Sequence, residues 1–134
     1  MTLGRLVVLV RDYDAALAFY RSAFGAQVIF DAPSPSGDRY LHIGFGATRS
    51  GAAGTGLWLL RAGEEDDARV GRQTGGQPLA VFYTPDARAA TARVAAAGGE
   101  VVRPVATAND ATFSHVADLY GNEFVLVEIP SVER

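Results

Sequence analysis

The densest group of side chains in this sequence that could do chemistry lies near its end. Ser114-His115-Val116-Ala117-Asp118-Leu119-Tyr120-Gly121-Asn122-Glu123-Phe124-Val125-Leu126-Val127-Glu128 holds a histidine, an aspartate and two glutamates within fifteen residues. Imidazole titrates near neutrality and can take or give a proton, and imidazole and carboxylate lone pairs together make metal sites. The other histidine is His42. Cysteine is absent, which excludes disulfides, zinc–thiolate sites and thiol nucleophiles.

Local context assigns plainer roles to the acidic residues of that segment. Asp118-x-x-Gly121-Asn122 has turn chemistry, with Gly121 and Asn122 tolerating positive φ. Glu123 is expected to cap the following strand on its exposed side. Glu128 alternates with Val125 and Val127, so parity groups it with Phe124 and Leu126 on the opposite face.

Composition bounds the partners. The chain has 134 residues, 49% hydrophobic and 20% charged, which fits one soluble globular domain able to bury a core, and the duplicated pattern described below makes its class α+β. Its net charge is −3 and its 12 basic residues, all arginines, are scattered, so nucleic-acid binding is not expected. The run Glu64-Glu65-Asp66-Asp67 reads as a solvated loop. The apolar run Leu6 to Val10 is five residues long and is followed by Arg-Asp. That is too short for a signal-peptide core or a membrane span, so no membrane role is expected and a cytoplasmic location is the default.

The elements that must position these residues occur twice. Val10-Arg11-Asp12-Tyr13-Asp14 ends a strand-like run and opens a helix-like one that stops at Gly25. Tyr83-Thr84-Pro85-Asp86 does the same, with a stop at Gly98-Gly99, at an offset of 86 − 12 = 74. Ala16, Phe19, Tyr20, Ala23 and Phe24 form one apolar helical stripe, matched by Ala90, Val94 and Ala97. Asp12 and Asp86 suit the N-caps, and Gly25 and Gly99 the left-handed C-terminal position. Each helix leads into three strands, in which His42 corresponds to His115 at an offset of 73 and Trp58 to Val125 at an offset of 67. The pattern predicts two pseudo-symmetric βαβββ modules, about 1–62 and about 77–130, joined through about 63–76. One helix covers only one face of its sheet, which predicts a curved mixed sheet around a shared cavity.

With Val10-x-Asp12, Phe19-Tyr20-x-x-x-Phe24-Gly25, Ala97-Gly98-Gly99 and Asp118-x-x-Gly121-Asn122 in this order, the chain resembles the vicinal-oxygen-chelate superfamily. That group includes glyoxalase I, bleomycin-resistance proteins and extradiol dioxygenases. The resemblance covers nearly the whole chain, and it implies a cavity and a homodimer. It also implies a divalent metal held by the first and last strands of each module. Counting from Asp12, Asp86 and Asn122 puts those ligand positions at Arg5, Leu79 and Val125, with Trp58 the counterpart of Val125. A guanidinium and an indole only donate, and the other two side chains are hydrocarbon. No metal or other cofactor is therefore expected.

By the same resemblance the ligand positions face the cavity. Strand alternation adds Val7 and Leu9 to Arg5, Leu60 to Trp58, Val81 and Tyr83 to Leu79, and Val127 to Val125. The expected pocket is apolar with an aromatic wall (Trp58, Tyr83) and one cation, and it suits a small, partly aromatic molecule, neutral or anionic. The competing reading makes Trp58 core packing and Arg5 a residue that snorkels to solvent. His42 and His115, with Tyr40 and Phe113 on their faces, are the candidate acid–base residues; the alternative is histidines on an outer or half-buried strand face. Arg39 and Asp38 are expected to meet water. Three functions follow: a metal-free small-molecule binder; an enzyme of lyase, isomerase or dioxygenase type, using an atypical metal site or His42 or His115 as acid–base; or a regulatory module that dimerises through the fold.

Overall fold

The alternation of Arg5-Leu6-Val7-Val8-Leu9-Val10 becomes strand β1 (Arg5–Val10), with Val8 and Val10 fully buried on one face. The computed structural model describes residues 1–46 and 54–129. The chain divides into two compact units, Met1–Val70 and Gly71–Arg134.

In the first unit, β1 is followed by helix α1 (Tyr13–Phe24) and strands β2 (Gln27–Pro33), β3 (Arg39–Gly44) and β4 (Gly56–Arg61). Asp12 caps α1, its carboxylate accepting from Ala15 N, and Gly25 ends the helix at φ 68°. The strand order is β1-β4-β3-β2, with β1 parallel to β4 and the other pairs antiparallel. Ala16, Phe19, Tyr20 and Ala23 are buried on α1, as are Leu41, Ile43, Leu57 and Leu59 on one face of the sheet. The Tyr13 hydroxyl donates to the Arg39 carbonyl and accepts from Arg61 N, which fastens α1 to β3 and β4.

The second unit repeats the plan with β5 (Pro78–Thr84), α2 (Ala87–Ala96), β6 (Glu100–Ala108), β7 (Ala111–Ala117) and β8 (Glu123–Glu128). The order β5-β8-β7-β6 matches that of the first sheet, and β5 again runs parallel to β8. Two mixed four-stranded sheets with their helices make this an α+β fold of the predicted strand–helix–strand–strand–strand kind, and the sheets are not closed into a barrel. Val94, Val116, Phe124 and Leu126 form the core, where the hydroxyls of Thr91 and Ser114 lie 2.7 Å apart. Asn109 and Asp110, both at positive φ, make the tight turn between β6 and β7.

Several local expectations change. In the second unit Gly98, not Gly99, takes positive φ, at 104°. The acidic run is a 3₁₀ helix (Glu64–Arg69) rather than a loop, though it buries nothing, and Asp67 pairs with Arg11 at 2.8 Å. Arg39 does more than meet water: it makes a two-pronged pair with Asp31 at 2.9 Å on both arms and also reaches Asp14 on α1. Asp38 accepts from Arg39 N and lies 3.6 Å from Arg61. No helix among the described residues is long and apolar enough to cross a membrane.

Candidate functional site

Each helix covers one face of its own sheet, and the candidate residues gather on the other. On the first unit's open face, His42 stands between Phe30 and Trp58 in register. Its ring lies 5.5 Å from each of theirs, and Tyr40 lies 6.0 Å from Trp58. Val7 pairs with Trp58, and Arg5, Val7 and Leu9 share this side. Trp58 is half-buried, and its Nε1 is buried without an acceptor, alone in this among the described residues.

Arg5 does not simply snorkel. Its Nε donates to His42 Nδ1 at 3.2 Å, while Nη1 donates to the Gly4 carbonyl at 2.7 Å. A guanidinium has no lone pair to offer, so Nδ1 must be the unprotonated nitrogen and the proton of neutral His42 sits on Nε2. Burial first, and then the charge of Arg5, push the His42 pKa below its ordinary value. His42 is therefore a neutral donor, held half-buried on this face.

The second unit's open face is built on the same register. His115 pairs with Val125 as His42 pairs with Trp58, and Val81 pairs with Val125 as Val7 pairs with Trp58. Leu79 is half-buried at an irregularity of β5, while Val81 and Tyr83 are exposed, Tyr83 by 69%. Phe113 lies 6.1 Å from the His115 ring. Arg103 is paired across from His115.

Glu123 departs from expectation. It shares the parity of Val125 and Val127, and its Oε2 lies 2.6 Å from His115 Nδ1. Both side chains are mostly buried, at 16% and 19% exposure. Parity was the signal that could have placed it, since Glu123 is two residues before Val125 on the same strand. Glu128 does lie on the helix side, where its Oε1 accepts from Ala87 N at the start of α2. Asp118 makes the expected turn, buried and accepting from Tyr120 N and Asn122 N. Asn122 contributes a side-chain hydrogen bond to Asp118 rather than positive φ.

Comparison with known proteins places this geometry. A model of the Glyoxalase/Bleomycin resistance protein/Dioxygenase superfamily matches residues 2–126. The chain belongs to that superfamily. An uncharacterized protein of Shewanella frigidimarina (strain NCIMB 400) is 28% identical over 125 residues, covering 92% of this chain and 90% of its own. Among solved structures, UcmS2 is similar at a TM-score of 0.77 and 24% identity, over 95% of this chain and 97% of that one. TnmS3, an antibiotic binding protein from Streptomyces sp. CB03234, is similar at 0.74 and 22%, over 98% and 97%.

At the four positions where the resemblance puts the superfamily's divalent-metal ligands, the side chains present do not suit one. The register makes Trp58 and Val125 counterparts, and the offset of 74 makes Arg5 and Leu79 counterparts. None of the four has a lone pair suited to a divalent cation, whereas a catalytic site takes about three protein ligands. No group of three or more His, Asp or Glu among the described residues could hold a metal ion. What the faces offer instead is aromatic and aliphatic surface with two differently wired imidazoles.

Proposed function

We propose that this superfamily member binds a small, flat, partly aromatic molecule, neutral or anionic, without using a divalent metal. The observation that carries the reading is the first unit's open face. There Phe30, Tyr40, His42 and Trp58 form a run of adjacent rings with Arg5 at its edge. Ring faces give a planar ligand area and offset-stacking geometry, and a guanidinium adds attraction for an anionic group. The buried Trp58 Nε1 supports the same reading. An indole N–H without an acceptor carries a desolvation cost that a ligand oxygen removes once the ring turns toward it. The likeness to TnmS3, whose description is that of an antibiotic binding protein, supports binding as a use of this fold.

Trp58 is the sole tryptophan, so its fluorescence reports on this face directly. Protein purified in chelator and dialysed is expected to show saturable quenching by planar aromatic phenols and carboxylates, with no turnover. Absence of saturable binding across such a panel would sink the reading. Binding that appears only when a divalent metal is added back would overturn its metal-free part.

A further inference from the structure

The two matched histidines are held at the same ring atom by opposite chemistry. In the first unit Nδ1 of His42 accepts from Arg5, so Nε2 carries the proton. In the second unit Nδ1 of His115 faces the Glu123 carboxylate at 2.6 Å. An ionised carboxylate only accepts, so Nδ1 carries the proton and Nε2 of the neutral ring presents a lone pair. No hydrogen bond from any described residue reaches that Nε2.

The reversal comes from two substitutions between repeats. Leu79 stands where Arg5 does, so no cation donates to His115 from β5. Glu123 stands where Gly56 does, at the offset of 67. The first unit has no room for such a side chain, because a Cβ on Gly56 would lie 2.3 Å from the Ile43 carbonyl oxygen. The base-type arrangement is thus confined to the second unit. There an imidazole oriented by a carboxylate sits beside Phe113, Val125 and Val127, with Arg103 paired across from it on the same sheet face.

We propose that the His115–Glu123 pair recognises an acidic hydroxyl, a phenolic or enolic O–H, on an aromatic ligand held against the open face of the second unit. His115 Nε2 is the acceptor. If the proton crosses, the ligand O–H bond breaks and an N–H bond forms at Nε2. The imidazolium is then paired with Glu123, the ligand is left as its oxyanion on the face that carries Arg103, and no other reactant is needed. This rests on the reading above that the chain binds small planar aromatic molecules, and it adds a hydroxyl-recognising group on the second unit's own face.

The test uses the full chain and two probes that differ only at the oxygen, 2-naphthol and 2-methoxynaphthalene. Nitrogen-15 NMR of the histidine side chains at about pH 8, above the ordinary imidazole range, reads the tautomers without ligand. His115 is expected as the Nδ1–H form and His42 as the Nε2–H form. Naphthol is expected to bind about tenfold tighter than the ether, the ratio one well-placed hydrogen bond supports, and to shift His115 Nε2. His115→Phe is expected to bind both probes equally, and Glu123→Leu to lose the tautomer preference and most of the discrimination.

An Nε2–H tautomer at His115, equal binding of both probes to the wild type, or discrimination that survives His115→Phe would each overturn the assignment and leave the binding reading standing. Should neither probe bind while the other planar aromatics also fail, the binding reading falls and takes this assignment with it. If neither probe binds but other aromatics do, only the hydroxyl assignment is overturned.

Discussion

The two units share strand order, pairing register and helix position, yet at equivalent places they hold different residues. Tyr20 becomes Val94, Trp58 becomes Val125, Arg5 becomes Leu79 and Gly56 becomes Glu123. The differences are largest on the open face. On the helix side several pairs stay apolar and buried, such as Ile43 and Val116, Leu57 and Phe124, and Leu59 and Leu126, while Leu17 and Leu41 give way to the buried hydroxyl residues Thr91 and Ser114. On the open side, size, charge and aromaticity all change. A βαβββ unit thus constrains its helix-facing residues by packing and leaves its other face free to take on a binding role.

The largest expected effects come from breaking the conserved side of the comparison. Tyr20→Ala removes a whole ring from a close-packed cluster that includes Phe19 at 5.4 Å and Phe24 at 5.5 Å. It is expected to cost about 3–5 kcal/mol by the range for deleting buried aromatics. Val94→Ala deletes two methyl groups at the equivalent place and is expected to cost about 1–2 kcal/mol. Urea denaturation of both variants checks the ranking, and equal losses would mean that the helices are not equivalent in packing. Gly56→Ala belongs in the same series. The new Cβ meets backbone rather than a movable side chain, so it is expected to cost about 1–3 kcal/mol. Glu123→Ala at the matching position is expected to change stability less.

The fold was legible because its signals are periodic and repeated. Asp12 and Asp86 cap their helices as their types suggest, and the offsets of 74 and 67 reappear as the pairings Val7 with Trp58 and Val81 with Val125. The site was legible only as faces. The resemblance put Arg5, Trp58 and Val125 on a common kind of surface, and parity added their neighbours. No periodicity reveals that Arg5 bends back onto His42, because that contact joins strands 37 residues apart through side-chain torsions. Glu123 departs from turn chemistry because, beside the turn, its strand parity is the stronger constraint. Arg39 departs from the expected solvation because its partners Asp31 and Asp14 come together only through the β2–β3 hairpin and α1.

The open side offers the next effects. Trp58→Val gives the first unit the residue that the second carries at Val125. If the ring run is the anchor, affinity for planar aromatics is expected to fall about tenfold, as for loss of one stacking partner. Isothermal titration measures this without the tryptophan signal, and unchanged affinity would move the anchor elsewhere. A smaller effect concerns Arg39, whose counterpart at an offset of 73 is Thr112, so the second unit lacks this ion-pair cluster. Arg39→Met is expected to destabilise by about 1 kcal/mol in low salt and by less in high salt, because the pairs are partly exposed and screened. Denaturation at two salt concentrations reads both numbers.

The smallest expected effect is a pH dependence carried by His42. Burial and Arg5 lower the pKa of His42 in the folded chain, so the unfolded chain takes up a proton first as the solution is acidified. The stability tied to neutral His42 is therefore fully present above about pH 6.5, the unfolded value, and is lost as pH falls from there through the folded pKa. His42→Gln should remove this slope. The difference between wild-type and variant stability across about pH 8 to 5 isolates it, because all other groups titrate in both proteins. Arg5→Met should reduce the slope without abolishing it, since burial acts first and Arg5 second. A His42-dependent stability that rises as pH falls, or a slope that Arg5→Met leaves unchanged, would show that Arg5 does not hold His42 in its neutral, donating form.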